Sequence, residues 1–496
     1  MKIALNNTTE RSTNGTQDIT TTGLGTTIGA IGLGAQSTID SFQSALRLSA
    51  GLASSVADQA TVQSKIISGR NTFINTNQHY ADEGLFLGRR NSNNGGSIVE
   101  QAVSAFITDG FTLNYTDASS NVRDFLTLTI ASDTEQAKMV KVDENQLNGA
   151  FTDTTIPFRP TCALVLTAND DFRGITAHEG YASMTYCFIT FDDLGAATYA
   201  GQTHSTRLVD GGSTEALAMV NNDAIYTFDP TEDNANFDGK FTLELTSDTN
   251  LRLNTVQRTA DAQAAEFAIM LIDTGDYDVT VGIADTPTTT GIQSLITGLP
   301  SEAQAIIYGI NHIESVNTVT TGANAGTMGF GAITRPPDVA AGNAEGCANA
   351  MNEIGVSTTN AQNYTSSAAI EVYDDDGGST NKIKGTFDSF TASTVEVNFT
   401  DVSSAAKKFP YIAFSASVEA ISSIVTFDVG APDGTYLTTI LSDSTPAEII
   451  TSEFREFTSG STSFSISLEV GAQVYGLVRD NSVPSLFCAP LKAVST

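Results

Sequence analysis

A short pattern that recurs along the chain constrains its fold more than any other feature. In residues 114–125 it reads Asn-Tyr-Thr-Asp-Ala-Ser-Ser-Asn-Val-Arg-Asp-Phe, and residues 398–409 keep the Asn, an aromatic, Thr-Asp, Ser-Ser, a cation and the closing Phe in register. A weaker third copy runs from residues 251–254 to Phe267. The closing phenylalanines Phe125, Phe267 and Phe409 are 142 residues apart (267 − 125 and 409 − 267). Chance seldom gives equal spacing with matching flanks, so we interpret the chain as a triplicated module.

The positions that the copies share are expected to form the structural core of each module. In the first copy, residues 111–116 and 125–130 alternate apolar and polar residues, which predicts two strands of a hairpin with turn chemistry between them. The expected core positions are Asn114, Tyr115, Asp117, Phe125, Phe267, Asn398, Phe399, Asp401 and Phe409.

Each module carries about eight to ten short apolar runs separated by turn residues, without alternation of strands and helices. This pattern predicts an all-β chain of three tandem β-sandwich domains of jelly-roll or lectin-like outline. A strand pattern at residues 462–468 matches earlier ones at 183–190 and 327–334 and closes the unit. The expected domains are therefore 68–200, 201–345 and 346–485, followed by a C-terminal tail at 486–496.

Residues 1–67 are expected to lie outside the sandwiches. The first 35 or so are rich in Thr, Gly and Asn with little periodicity, which indicates an extended arm that docks on a neighbouring subunit. Residues 38–60 place Ile39, Phe42, Leu46, Ala53 and Val56 mostly at spacings of three or four, which predicts one helix. That helix would pack on its own first domain or join an intersubunit bundle.

The charge balance excludes several classes of partner. The chain has 24 Lys and Arg against 56 Asp and Glu, a net charge of −32, which repels nucleic acid and anionic membranes. No apolar run reaches the roughly 18 residues of a membrane span, and the N-terminus lacks a secretory signal pattern. We expect a soluble protein that binds neither nucleic acid nor membrane.

The sequence shows no catalytic constellation. His79, His178, His204 and His312 fall at different repeat positions without a metal-binding neighbour, so each is expected at the surface or in a turn. There is no nucleophile elbow and no phosphate-binding loop, and the carboxylates cannot be paired across a sugar site from sequence. We predict that the protein is not an enzyme and has no resident cofactor.

Two weaker features concern metal and sulfur. Asp374, Asp375 and Asp376 form an acidic turn that offers oxygen ligands to Ca²⁺, although the sequence around them departs from the usual calcium loop and a solvated turn is favoured. Cys162 and Cys187 lie on runs that are expected to pair as strands, which allows one disulfide, but buried free thiols are favoured over it.

The stretch Gly110-Phe-Thr-Leu-Asn-Tyr-Thr-Asp, followed by a cation and Phe125-Leu-Thr-Leu, resembles a repeated element in structural proteins of tailed-bacteriophage virions. Gly385 and residues 409–414 are similar, whereas the middle copy lacks the Asn-aromatic-Thr-Asp core. The resemblance implies a virion component that is assembled in the host cytoplasm and contacts copies of itself and other virion proteins. It does not distinguish collar or neck, tail sheath, fibre or capsid decoration, and it implies no catalytic residue.

Two main hypotheses for function therefore stay open. The first is a non-enzymatic virion protein that self-assembles through its arm and domain edges. The alternative is a receptor-binding protein or adhesin whose sandwich loops recognise host cell-surface glycans. A bacterial surface-layer protein is a third hypothesis, which the missing export signal disfavours.

Overall fold

The structure is a computed structural model of the full chain. It describes residues 1–496 except 38–39, 41–42, 45, 68–75, 91–96, 146, 169–180, 209–213, 229–238, 260–264, 276, 322–325, 336–343, 353–360, 374–380, 417–419, 429–433, 443–448, 458–460, 470–472, 480–485, 488–492 and 495–496. Every regular element within this part is a β-strand, which confirms the all-β prediction. The chain divides into two compact units, Met1–Ala416 and Ser417–Thr496.

The strands of the first unit fall into three consecutive sets. The first set is β1 (Lys2–Thr9), β2 (Gly15–Thr20), β3 (Thr27–Ser37), β4 (Gln43–Ser44), β5 (Leu46–Ala53), β6 (Gln59–Ile67), β7 (Thr76–Glu83), β8 (Leu87–Arg90), β9 (Ser97–Ile107), β10 (Gly110–Asp117) and β11 (Asp124–Ala131). The second is β12 (Ala137–Asp143), β13 (Phe151–Thr155), β14 (Cys162–Thr167), β15 (Tyr181–Phe191), β16 (Ala197–Leu208), β17 (Thr214–Asn221), β18 (Ile225–Thr227), β19 (Gly239–Ser247), β20 (Asn250–Arg258) and β21 (Glu266–Ile272). The third is β22 (Tyr277–Asp285), β23 (Gly291–Thr297), β24 (Ala303–Ile310), β25 (Thr320–Thr321), β26 (Thr327–Thr334), β27 (Ala344–Asn352), β28 (Ala361–Ser366), β29 (Ile370–Tyr373), β30 (Asn381–Phe390), β31 (Thr394–Asp401) and β32 (Lys408–Ala416).

Apart from the short strands β4 and β25, which join the large sheet of another set, each set forms one large sheet and one small sheet with the same strand order. Large sheet 1 is β1-β11-β3-β5-β6-β7, large sheet 2 is β12-β21-β14-β15-β16-β17-β25, and large sheet 3 is β22-β32-β24-β26-β27-β28-β4. The small sheets are β2-β10-β9-β8, β13-β20-β19-β18 and β23-β31-β30-β29. In every set the first strand pairs with the last, and the last with the third. The topology is thus repeated three times.

The sequence repeat coincides with this repeated topology. Phe125, Phe267 and Phe409 are each the second residue of the last strand in a set, β11, β21 and β32. The strand before it, β10, β20 or β31, lies in the small sheet and carries the rest of the motif. The motif therefore marks the point where the chain crosses from the small sheet to the large one.

The large and small sheets of each set pack face to face around an apolar core, as in a sandwich. In the second set, Phe267 and Ile269 of the large sheet pack with Phe241 and Leu253 of the small one. The Phe241 and Phe267 rings meet edge to face, with their centroids 5.0 Å apart. Equivalent cores lie in the first set around Phe111 and in the third around Tyr308.

The three large sheets also share a further core on their opposite faces. In β21 the side chains alternate: Phe267, Ile269 and Leu271 face the sandwich core, whereas Ala268, Met270 and Ile272 face the shared one. This central core takes residues from all three large sheets, including Leu128 and Ile130, Tyr186 and Phe188, and Phe330 and Phe414. Each large sheet is therefore buried on both faces, which explains the continuous apolar runs of its strands.

The short segment that follows the third strand of a set reaches the edge of another large sheet. From the first set, β4 pairs with β28 at the edge of large sheet 3, and from the third, β25 pairs with β17 of large sheet 2. The corresponding segment of the second set includes residues 169–180, which lie outside the described residues.

The two described links use the same backbone arrangement. Asp40 and Asn317 both have φ of 56°, a left-handed conformation that Asp and Asn tolerate better than most residues. The Asp40 N–H donates to the Thr365 carbonyl at 2.7 Å, and the Asn317 N–H to the Val220 carbonyl at 2.8 Å. Two residues further along the edge strand, a backbone N–H donates to the side-chain oxygen of Asp40 or Asn317, each at 3.1 Å. The sheets are thus joined by equivalent hydrogen bonds as well as by the central core.

A buried polar network joins large sheets 2 and 3. The Tyr186 hydroxyl donates to Gln202 Oε1 at 2.8 Å, and the Gln202 amide donates to the Ile310 carbonyl at 3.2 Å. Asn311 donates to the same Gln202 oxygen at 2.8 Å. Gly309 lies directly against Tyr186. Any side chain larger than hydrogen at this position would overlap the tyrosine hydroxyl.

The predicted helix at 38–60 is wrong. The described part of that range contains β4, β5 and the start of β6, and no helix. Leu48, Ala50 and Leu52 enter the central core at every second position, which is strand periodicity, whereas Val56 is 50% exposed in the following turn. The spacing of three or four among scattered apolar residues concealed this alternation.

The expected arm is also wrong, because residues 1–67 supply integral strands of the first set. Its glycines have a packing role: Met270 of large sheet 2 occupies the space beside Gly29, and Leu87 lies 2.7 Å from where a Cβ of Gly32 would be. The sheets do not follow the expected domain limits either. The limit between residues 200 and 201 falls within β16, and that between 345 and 346 falls within β27. The structure does not show three separate domains, since the three sets share one core.

The second compact unit, Ser417–Thr496, is also built from strands. These are β33 (Ala420–Asp428), β34 (Gly434–Ser442), β35 (Ile449–Phe457), β36 (Ser461–Glu469), β37 (Gln473–Arg479), β38 (Leu486–Phe487) and β39 (Ala493–Val494). β33 pairs with β36, and the others form a sheet in order β35-β34-β37-β38, with β39 also on β37. Part of the expected tail at 486–496 therefore pairs with a strand.

Deleting residues 1–67 should unfold the first unit. The deletion removes β1 to β6, including both strands that pair with β11, and exposes the central core. We expect loss of the cooperative thermal transition in circular dichroism and accumulation in the insoluble fraction. A truncated protein that stays soluble and melts cooperatively near the parent's midpoint would contradict the placement of these strands.

Gly309→Ala should destabilise the joint between large sheets 2 and 3 by about 1–3 kcal/mol, because the new methyl group meets the Tyr186 hydroxyl. Tyr186→Phe removes that hydroxyl. The double variant should therefore lose less stability than the two single losses combined, measured by denaturant unfolding of all four proteins. Additive losses would show that the two residues do not press on each other.

Candidate functional site

The histidines do not form a site in the described part of the chain. His204 in β16 and His312 after β24 are each only 1% exposed, so their expected surface or turn placement is wrong. His79 lies in β7, and His178 lies outside the described residues. Among the described residues, no group of three or more His, Cys, Asp or Glu side chains could hold a metal ion. Nor does this part contain a helix with the length and apolarity needed to cross a bilayer.

The cysteines are separated by the sheet that contains them. Cys162 of β14 faces the central core, whereas Cys187 of the neighbouring β15 faces the sandwich core of the second set. Their register differs too, since Cys162 pairs with Thr190 and Cys187 with Val165. Both are buried free thiols, like Cys347, and burial raises the pKa of each thiol. The possible Cys162–Cys187 disulfide is therefore not formed, and the buried free thiols that the sequence favours are confirmed. The calcium candidates Asp374, Asp375 and Asp376 lie outside the described residues.

The aromatic and the asparagine of the repeat point to opposite sides of the small sheet. Tyr115 and Phe399 are buried in the sandwich cores, each 1% exposed. The neighbouring Asn114 and Asn398 lie on the outer face, as does Asn254 at the equivalent position of β20. Asp117 and Asp401 are the last residues of β10 and β31, where the motif's turn begins. The repeat thus combines inward aromatic anchors with outward amides.

A hydrogen-bonded side-chain pair lies beside each outward asparagine. The pair occupies the same strand positions in all three sets, but its residues differ from set to set. Asn114 faces Thr16, Asn254 faces Phe151 and Asn398 faces Ile292 on the adjacent edge strand. Two residues along these strands, Thr112 donates to Asp18 at 2.6 Å, Arg252 to Asp153 at 2.8 and 3.0 Å, and Ser294 to Glu396 at 2.7 Å. The scaffold of the outer face is therefore kept while its chemistry differs among the three sets.

Small sheet 2 alone among the three places an aromatic ring at this position. Phe151 keeps 48% of its surface exposed, and Val256, two residues beyond Asn254, also keeps 48%. The Arg252 guanidinium carbon lies 3.9 Å from the centroid of the Phe151 ring. Arg252 forks onto both oxygens of Asp153, which lowers the pKa of that carboxyl, and approaches Glu244 at 3.7 Å. We call Phe151, Asp153, Arg252, Asn254 and Val256, with the flanking Glu244, the Phe151 face.

A groove of about 630 Å³ lies beside β12 and the start of β6. Two of its charged groups pair with each other, since Lys138 Nζ lies 2.6 Å from an Asp58 oxygen. Burial alone would raise the pKa of Asp58, but hydrogen bonds from Lys138 and Ser55 outweigh it and lower the pKa. The groove offers a polar wall without a reactive group directed into it.

Two buried carboxylates and one partly buried carboxylate were not predicted from the sequence. Glu144 pairs with Arg258, and burial lowers the pKa of that guanidinium. Glu371 is fully buried and meets Lys384 Nζ at 3.1 Å. Glu345 accepts the Phe387 N–H at 2.5 Å, and burial raises the pKa of its carboxyl to about 7. No pattern in the chain singles out these acids, because each is one charge within an otherwise ordinary strand.

Comparison with known proteins adds no identification. No protein-family model matches the chain, and no curated protein sequence matches it. The function must therefore be argued from the geometry.

The unfolding free energy should fall as the pH rises from about 4.5 to about 7, because the folded Glu345 carboxyl holds its proton to a higher pH than the unfolded one. Glu345→Gln removes this penalty and keeps an acceptor for the Phe387 N–H. At pH 8 the variant should be more stable by on the order of 1 kcal/mol, since solvent screens the partly exposed group. The two proteins should have equal thermal midpoints at pH 4.5. A variant less stable than the parent at pH 8 would contradict the raised pKa.

Proposed function

We propose that this protein is a non-enzymatic structural component of a tailed-phage virion, in the collar or neck, the tail sheath or a capsid decoration layer. The observation that supports this proposal best is the shared central core of the three large sheets. A close-packed core of this kind stabilises a rigid scaffold. The motif's resemblance to virion proteins supplies the class of particle.

In this proposal the first unit is a triplicated jelly-roll-like sandwich that became one chain. Three copies of a module around a common core resemble a trimer whose subunits have been fused. The fused form fixes stoichiometry and lets each copy acquire a different outer surface. The diverged pairs Thr112–Asp18, Arg252–Asp153 and Glu396–Ser294 fit such a division of roles.

Assembly would use the exposed surfaces of this scaffold, because residues 1–67 are part of its core. Each small sheet ends in strands that have one hydrogen-bonded neighbour within the described part, such as β2 and β8 in small sheet 1. Such edges accept further strands from a neighbouring molecule. Copies with a net charge of −32 repel one another, so association requires screening by salt or multivalent cations.

The full-length protein should form rings or larger oligomers as the ionic strength rises. At about 0.1 M salt the Debye length is ~10 Å, and higher concentrations should shift the mass further upward. Multi-angle light scattering across a salt and Mg²⁺ series, with negative-stain imaging of the same samples, measures this. A monomer under all these conditions would contradict self-assembly.

Recognition of host cell-surface glycans is the second candidate function. The sequence places such recognition in the sandwich loops. The observation that favours recognition is instead the exposed Phe151 face, which lies on a sheet.

A further inference from the structure

We propose that the Phe151 face binds a neutral saccharide, with one pyranose ring stacked on the phenylalanine. This site goes beyond the proposed assembly and would stand without it. Phe151 and Val256 give an apolar patch on an outer sheet face, each 48% exposed. The C–H face of a pyranose is apolar and flat, so it can cover such a patch as an aromatic ring would.

The ring is held in place before any ligand arrives. Phe151 lies in β13, directly opposite Asn254 of β20. The guanidinium of Arg252 packs on it at 3.9 Å, and that guanidinium is itself fixed by two hydrogen bonds to Asp153. A stacked aromatic that is already ordered loses little conformational entropy on binding.

Polar groups surround the patch in the pattern that hydroxyl groups need. Asp153 and Glu244 are acceptors with more lone pairs than their contacts to Arg252 use. The Asn254 amide forms no hydrogen bond to any other described residue, so it can both donate and accept. Sugar hydroxyls do both as well, so a single ring can pair with carboxylate and amide groups beside the aromatic.

The negative charge of the chain and of the Phe151 face favours a neutral ligand. The chain carries −32 overall, and the face itself places two carboxylates beside one guanidinium. Sialylated or sulfated glycans, nucleic acids and a second copy of this acidic chain would all be repelled. A neutral polyhydroxyl ligand meets no such penalty and gains acceptors for its hydroxyl protons.

The other two outer faces provide matched controls within the same molecule. The residue equivalent to Phe151 is Thr16 in small sheet 1 and Ile292 in small sheet 3. The residue equivalent to Arg252 is Thr112 in small sheet 1 and Glu396 in small sheet 3. These faces share the backbone register and the outward asparagine but lack an aromatic ring. Binding that depends on stacking should therefore be confined to small sheet 2.

The test uses the full-length protein with four neutral probes: maltotriose, cellotriose, mannotriose and triacetylchitotriose. Saturation-transfer NMR and calorimetry at millimolar sugar should detect binding of at least one. Phe151→Ala should weaken that binding about tenfold or more, as loss of a central aromatic contact does. Phe151→Tyr should retain it, and Thr16→Ala and Ile292→Ala should leave it unchanged.

Three outcomes would overturn the proposal. The first is that none of the probes binds, and the second is that Phe151→Ala binds as the parent does. The third is that Phe151→Ala changes the oligomer mass in light scattering, which would show that a second copy covers this face. Because Phe151 is half exposed, the variant should melt as the parent does, and circular dichroism checks this. Failure of self-assembly in the salt series would leave the sugar result unaffected, so the two proposals fail separately.

Discussion

The central core shared by the three large sheets is the constraint on which the rest of the first unit depends. A sheet that buries one face in its own sandwich still has a second apolar face, and each large sheet meets this need by contacting the other two. Alternate residues of one strand thus serve two cores, as Ile269 and Met270 do. A polar substitution on either face would bury a polar group without a hydrogen-bond partner, so the residues of these strands have little freedom to change.

The hydrogen bonds between sets fix the register in which the large sheets meet. Apolar packing alone is non-directional and would tolerate sliding of one sheet over another. The exposed links at Asp40 and Asn317 and the buried Tyr186–Gln202–Asn311 network form their hydrogen bonds in only one alignment of the sheets. Assembly of the three sets is therefore specified by polar contacts and stabilised by apolar ones.

The sequence predicts the repeat and the all-β class because both leave local traces. Phe125, Phe267 and Phe409 recur at one spacing since each is the second residue of the strand that begins once the chain has crossed from the small sheet to the large one. A repeat gives the period of a fold but not its phase, so the expected domain limits could be shifted along the chain without changing any internal match. Only the pairing of β1 with β11 shows where a set begins.

Features that depend on packing between sets were not predictable in this way. The glycine-rich stretch around Gly29 resembles an extended arm in sequence, but Gly29 itself leaves the space that Met270 from another sheet occupies. His204 and His312 look like surface residues because no nearby residue in the chain reveals that other strands cover them. The exposed position of Phe151 was equally hidden, since a phenylalanine in a short strand is usually a core residue.

The two faces of the small sheets differ in how much their residues have changed among the three sets. Inward positions such as Tyr115 and Phe399 keep an aromatic because each must fill a sandwich core. Outward positions keep only the asparagine. The pair beside it is Thr and Asp in the first set, Arg and Asp in the second, and Glu and Ser in the third. A surface required only for solubility would not need its two changed residues to hydrogen-bond with each other, because water could solvate each residue separately. That each face instead has its own hydrogen-bonded pair argues that three different surfaces are presented on one scaffold.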